Sequence, residues 1–96
     1  ILPAGEVSRI EAMDDYIVIF HNGKKYYKKQ TLKQAEAMLS QEKFVRVHRS
    51  HIINLDFVKK LEPMEKEGWL LLLSDGAEVS VSKSGYAKLK EKLRIA

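Results

Sequence analysis

Two dipeptides that favour tight turns, Asn22-Gly23 and Asp75-Gly76, constrain the fold of this chain most strongly. Each separates two short runs of apolar, aromatic or β-branched residues, which are 16–20 and 25–28 around the first dipeptide and 69–73 and 77–81 around the second. Asn-Gly and Asp-Gly suit two-residue hairpin turns because these residues tolerate positive φ. The sequence therefore predicts two hairpins and a mainly β fold.

The stretch from Phe44 to Val58 is a further strand-like region, and polar residues interrupt it. We expect its apolar residues to lie in the core, because alternate side chains of a strand share one face; they are Val45, Val47, Ile53, Leu55 and Phe57. The alternation fails at Arg46, His48, Arg49, Ser50 and His51. This pattern predicts two strands joined by an exposed polar bend, and function is expected there.

Two segments have helical patterns. Thr31 and Gln34 fit a capping box, and a helix is predicted from Thr31 to about Gln41. Its apolar face would comprise Leu32, Ala35, Met38 and Leu39. The second helix is predicted after Ser82 or Ser84, either of which can cap it. By contrast, Trp69–Leu73 is apolar at every position and predicts a strand that is buried on both faces or lies where two sheets meet.

The length of 96 residues suits one domain. The chain begins at Ile1 and not at a methionine, so we expect a fragment with a linker remnant at 1–5 and the domain at 6–96. No cysteine is present, which agrees with a cytoplasmic location and rules out disulfides. The longest apolar run, Trp69–Leu73, is too short to cross a membrane.

A net charge of +4 favours a polyanionic partner, because neutralised phosphates release counterions. Arg46, His48, Arg49 and Ser50 could form a DNA-facing surface, since arginine can bond a guanine edge or a phosphate. The simpler alternative is a solvated strand end whose charges pair with Glu42 or Asp56. A small basic β module that binds a protein or peptide through a sheet edge also remains open.

The residues give little support for enzymatic chemistry. His48 and His51 lack the further convergent ligands that zinc requires. Ser50, His48 and Asp56 could be proposed as a catalytic trio, but no nucleophile elbow or glycine-rich oxyanion loop accompanies them. Phosphate-binding glycine motifs are also missing. We therefore expect no catalytic activity, no metal and no cofactor.

Four motifs together resemble the LytTR family of bacterial DNA-binding domains. The segment 44–54, FVRVHRSHIIN, is similar to the family signature F-x-R-[IV]-H-[RK]-S-[YFH]-[IVL]-[IV]-N. The other three resemble, in the family's order, its first strands (10–12 with 16–18), its helix start (31–33) and its closing VSR segment (79–83). The resemblance covers almost the whole chain.

The resemblance implies a compact fold of small stacked antiparallel sheets, a β-β-β sandwich with one internal helix and a C-terminal helix. It implies DNA binding through loops that enter successive major grooves and cross the intervening minor groove. It further implies the output domain of a transcriptional regulator in a two-component system, which binds paired direct repeats as a dimer. A sensory or receiver domain would then be missing from this chain.

By motif position, the resemblance implies three DNA-facing segments, namely Asp14, Asp15 and Tyr16; Arg46, His48, Arg49 and Ser50; and Lys83 with Ser84 and Gly85. Arg49 and Lys83 are expected to contact grooves, whereas Arg46 and His48 would bind phosphate or position the loop. Ser84 and Gly85 are small where many members carry a longer or basic residue. The aspartates would repel phosphate, so they would accept from a cytosine amino group or shape the loop.

Overall fold

The computed structural model describes residues 3–93 of the chain. Residues 1–2 of the predicted linker and residues 94–96 of the predicted domain lie outside the described residues. The strands are β1 (Val7–Met13), β2 (Tyr16–His21), β3 (Lys24–Lys29), β4 (Phe44–His48), β5 (His51–Asn54), β6 (Val58–Pro63), β7 (Trp69–Leu73) and β8 (Glu78–Val81). The helices are α1 (Leu32–Ala37) and α2 (Lys83–Leu93), and 3₁₀ turns cover Ala4–Glu6 and Leu55–Phe57.

The strands form two antiparallel sheets. The larger has the order β3-β2-β1-β5-β4, and the smaller has the order β6-β7-β8. One apolar cluster lies between α1 and the larger sheet and includes Ile17, Leu32 and Ile52. The second joins β4 and β5 to the smaller sheet and α2, and it includes Val47, Leu71 and Leu89. The mainly β architecture with two helices, which the sequence predicted, is confirmed.

Both predicted hairpins are present. Asn22 and Gly23 connect β2 to β3 with φ values of 50° and 80°, as a tight turn with two left-handed residues requires. Gly76 has a φ of 93° between β7 and β8. The charged segment after Pro63 connects β6 to β7, and β6 lies at a sheet edge, where proline is tolerated.

Helix α1 begins where predicted and ends earlier. The Gln34 N–H donates to Thr31 Oγ1 at 3.1 Å, and the Thr31 N–H donates to Gln34 Oε1 at 3.0 Å, which completes the capping box. The helix ends at Ala37, and the Met38 N–H donates to the Ala35 carbonyl in a tighter final turn. The prediction that Met38 is a core residue is wrong, because its side chain is 75% exposed.

The strand predicted to resume through Phe57 ends at Asn54. The Asn54 side chain accepts a hydrogen bond from the Asp56 N–H at 2.9 Å and donates one to the Val7 carbonyl at 2.9 Å. This local bond favours a turn over an extended chain. Leu55 and Phe57 are consequently half-buried against the core cluster.

Strand β7 is buried mainly on one face and lies where the smaller sheet packs against the larger one, which is the second of the two predicted arrangements. Leu71 and Leu73 are buried, whereas Trp69, Leu70 and Leu72 are half-buried. The smaller sheet covers the larger one with a single face, so the other face of β7 is only partly enclosed. Trp69 shares the core-facing side of β7 with Leu71 and Leu73, and the ring of Tyr86 from α2 stacks on it with centroids 4.5 Å apart.

Candidate nucleic-acid interface

Strand register brings two of the predicted segments to the same end of the strands in the larger sheet. The turns at this end form one edge of the sheet. Met13 pairs with Tyr16 across the β1–β2 turn, and His48 pairs with His51 across the β4–β5 turn. Because β1 pairs antiparallel with β5, both turns lie at the same end of the strands. The Ala12 N–H donates to the Ser50 carbonyl at 2.9 Å and ties the two turns together.

A bulge in β4 attaches the third segment to this edge. The β4–β5 register shifts between Arg46 and His48, so the intervening Val47 falls outside the regular ladder. Its carbonyl accepts from the Ser82 N–H at 2.9 Å and from Ser82 Oγ at 3.2 Å. The start of α2 is therefore fixed beside the β4–β5 turn.

Gly85 allows this close approach. A Cβ at Gly85 would overlap the Val47 carbonyl oxygen, so any larger residue would push α2 away from β4. Ser82 Oγ accepts from the Gly85 N–H at 3.0 Å and is therefore the cap of α2, which settles the choice between the two serines. The small residue that departs from the family pattern thus has a packing role.

Arg46 lies within strand β4 and is directed at neighbouring protein groups. Its guanidinium donates to the Arg49 carbonyl at 2.6 Å and contacts Glu36 Oε1 of α1 at 3.4 Å. The side chain is half-buried, and both bonds hold the β4–β5 turn against α1. Of its two expected roles, loop positioning is the one that these contacts favour.

His48 also contacts the turn. Its Nδ1 accepts from the Ser50 N–H at 3.1 Å, which requires that Nδ1 carry no proton. The His48 and His51 rings lie 5.4 Å apart between centroids. The polar bend is therefore shorter than predicted, because Arg46 and His48 belong to β4, His51 begins β5, and only Arg49 and Ser50 form the turn.

The side chains left exposed at the β4–β5 turn and the start of α2 are mainly cationic. Arg49, Lys83 and Ser84 are exposed, and Ser50 is half-buried. A concavity of about 440 Å³ lies between the β4–β5 turn and α2, lined by Glu36, Arg46, His48, Arg49, Ser82, Ser84 and Lys88. Sequence reasoning missed Lys88, although it lies four residues after Ser84 and such residues share a helix face.

Asp14, Asp15 and Tyr16 lie on the far side of the same edge. Asp14 has a φ of 53°, a conformation that aspartate tolerates better than most residues, so its position in the turn is accounted for by local geometry. Tyr16 is 48% exposed and pairs with Lys29 of β3. Exposed carboxylates and an exposed aromatic ring thus lie at the opposite end of this edge from the cationic side chains of α2.

His51 connects this edge to the interior. Its pKa lies below the usual value of 6.5, chiefly because burial removes water from the ring; His48 and Arg9 lower it further, and Glu11 partly opposes them. Its Nδ1 is buried without a hydrogen-bond partner.

Residues 3–93 contain no group of three or more potential metal ligands. No helix in the same range is long and apolar enough to cross a membrane.

The sequence matches the family model of the LytTr DNA-binding domain over residues 1–94. The chain belongs to the LytTR family. This confirms the family membership that the four motifs indicated, and the function of the family is DNA binding.

Solved and curated relatives agree with this membership. The LytTR fold of this chain is similar to the LytTr DNA-binding domain of a methyl-accepting/DNA response regulator from Bacillus cereus, with a TM-score of 0.88, 28% identity, and coverage of 98% of this chain and 86% of that one. The sensory transduction protein LytT of Bacillus subtilis is 33% identical over 73% of this chain and 29% of its own length.

A regulator of a different kind is also similar to this chain. The heme-containing CO-sensing transcriptional regulator of Paraburkholderia xenovorans is 31% identical over 94% of this chain and 34% of its own length. The chain thus spans about a third of the length of each of these two curated relatives.

Proposed function

We propose that this LytTR domain binds double-stranded DNA sequence-specifically as the output domain of a bacterial transcriptional regulator, without catalytic activity. The observation that carries the proposal is the convergence of three turns at one sheet edge. A continuous edge of short turns can follow the curved surface of a duplex, whereas no recognition helix projects from residues 3–93 in this region.

The contacts divide the edge residues into two groups. Arg49 and Lys83 are exposed and long enough to reach base edges, and arginine can bond both acceptors of a guanine. Arg46 and His48 bond the turn itself, so they position Arg49 for DNA. Ser50 and Ser84 are short and suit contacts to backbone phosphates.

The second end of the edge has a different chemistry. Asp14 and Asp15 would repel phosphates, so they suit a groove position, where a carboxylate can accept from a cytosine amino group. Tyr16 can contact a sugar or phosphate through its hydroxyl group. Lys88, which lines the concavity with Ser84, adds a cation at the other end of the edge.

The relatives support a wider setting, because they are regulators about three times as long as the matched domain. We propose that the domain works in the cytoplasm, is joined to a sensory or receiver domain, and binds paired direct repeats as a dimer. One 96-residue domain contacts few base pairs, so two adjacent copies would supply the specificity that a genome demands.

Selection of bound sequences from a random duplex library tests this proposal. We expect one enriched motif, and a duplex with two copies of it should bind two domains. The affinity for the selected duplex should fall linearly with the logarithm of salt concentration, because phosphate contacts release counterions. Failure to enrich any motif, with equal affinity for all duplexes, would contradict sequence-specific binding.

A further inference from the structure

Strand β3 forms the outer edge of the larger sheet. Within residues 3–93 it pairs with β2 and with no other strand. The pair that flanks a two-residue hairpin turn, here His21 and Lys24, is hydrogen-bonded, and hydrogen-bonded pairs alternate along an antiparallel ladder. Lys25, Tyr27 and Lys29 therefore direct their N–H and carbonyl groups outward, where a further strand could pair.

The charge on β3 determines which strand could add there. All six residues are exposed, and four of them are lysines, in the sequence KKYYKK. A second copy of β3 would place lysine opposite lysine, which is unfavourable, so the lysines protect the edge against self-pairing. The same lysines would attract a strand that carries carboxylates.

An apolar groove lies beside this edge. It has a volume of about 560 Å³ and runs between α1 and the sheet face of β2 and β3, lined mainly by apolar residues such as Ile17, Ile19, Ala35, Met38 and Leu39, with Tyr26 and Tyr27 at the rim. Met38 is 75% exposed and Tyr27 is 59% exposed. Apolar walls suit side chains of a protein segment better than a phosphate backbone, which favours a peptide over nucleic acid.

We propose that β3 and the groove bind an extended acidic segment of a partner protein by strand addition. The partner backbone would pair with Lys25, Tyr27 and Lys29, its carboxylates would face the lysines, and its apolar side chains would enter the groove. This surface runs along β3, whereas the DNA-facing turns lie at the strand ends. Partner and DNA can therefore bind together.

Two peptides test the proposal in the first instance. One is an eight-residue peptide in which glutamate alternates with valine, and its control carries lysine in place of glutamate. We expect the glutamate peptide to bind with amide chemical-shift changes concentrated at residues 24–29. The lysine peptide should bind at least about tenfold more weakly, because like charges would face each other across the strands.

Variants of the chain separate the charge and backbone contributions. Lys25→Glu with Lys29→Glu, which lie on the face of β3 opposite the groove, should weaken the glutamate peptide about tenfold, whereas the matched exposed pair Lys59→Glu with Lys66→Glu should not. Tyr27→Pro removes an outward N–H without removing a bond to β2 and should abolish binding; Tyr27→Ala, which keeps the N–H, should retain part of it. Unchanged melting temperatures establish that each variant folds.

Three outcomes would overturn the proposal. The first is equal binding of both peptides, and the second is no binding of either at millimolar concentration, which would leave β3 as a protected edge only. The third is that Lys25→Glu with Lys29→Glu weakens binding of duplex DNA and not of the peptide, which would assign these lysines to the DNA surface. Simultaneous binding of peptide and duplex to one chain would support the separate location of the two surfaces.

Discussion

The guanidinium of Arg46 donates a hydrogen bond of 2.6 Å to the carbonyl oxygen of Arg49, so one arginine holds the turn from which the other projects. The contact of Arg46 with Glu36 extends this support to α1. Arg46 is therefore expected to act on DNA binding through Arg49, which gives it a different mutational signature from a residue that touches phosphate.

Replacement of Arg46 by lysine keeps the charge and removes the planar fork that reaches two acceptors. We expect DNA affinity to fall by about 1.5–3 kcal/mol, the range for loss of a charge-assisted hydrogen bond, with an unchanged slope of log affinity against log salt. Titrations of a labelled selected duplex at several salt concentrations measure both quantities. Full affinity in Arg46→Lys would mean that Arg46 binds phosphate as a simple cation.

Arg49→Ala removes the exposed side chain and leaves the carbonyl that Arg46 holds. We expect specific binding to weaken by about 1–3 kcal/mol and non-specific binding to change much less, because a base-reading arginine discriminates between sequences. Lys59→Ala, on the smaller sheet, provides the matched control. An equal loss of affinity for selected and unrelated duplexes would assign Arg49 to the phosphate backbone instead.

Gly85→Ala should destabilise the fold. Alanine improves helix propensity by about 1 kcal/mol, but its Cβ would overlap the Val47 carbonyl, and overpacking costs about 1–3 kcal/mol or more. The cost of overpacking should exceed the gain in helix propensity, because movement of α2 away from β4 would break the hydrogen bonds between Ser82 and Val47. Urea unfolding measures the difference, with Gly5→Ala, which meets open space, as the control. A gain in stability would contradict the close packing.

The lowered pKa of His51 predicts a pH dependence of stability. The unfolded chain binds a proton near pH 6.5, whereas the folded chain resists protonation of this buried ring. Stability should therefore be fully present above pH 6.5, decrease as the pH falls through that value, and level off below the folded pKa. Urea unfolding between pH 8 and pH 5 measures this slope. It should be shallower in His51→Gln, and identical slopes would contradict the assignment.

Local structure was largely predictable, because single residues determine it. The φ values of Asn22 and Gly23 follow from their tolerance of positive φ, and the bonds of Thr31 with Gln34 follow from their spacing. The early end of α1 was not predictable from periodicity, since Met38 continues the apolar pattern and is nevertheless exposed. Likewise, an asparagine turn at Asn54 competes with a strand pattern that continues to Phe57.

The site was less predictable from the sequence than the fold, because it depends on how distant segments pack together. The motif resemblance indicated the three segments, but the central position of β1 and the bulge at Val47 determine that they meet at one edge. Neither feature can be predicted from a short stretch of sequence, because pairing of β1 with β5 joins residues about 40 apart in the chain. The contacts of Arg46 with the Arg49 carbonyl and Glu36 could not be predicted for the same reason, since they require α1 and the turn to be packed together.

Amide chemical-shift mapping of the domain with a selected duplex tests the central claim most directly. If the edge binds DNA, the largest changes should fall in the three turns, at residues 14–16, 48–50 and 82–84, and the β6–β7 connection at 64–68 should remain unaffected. The largest changes at 64–68 or along β3, with the three turns unmoved, would contradict the account.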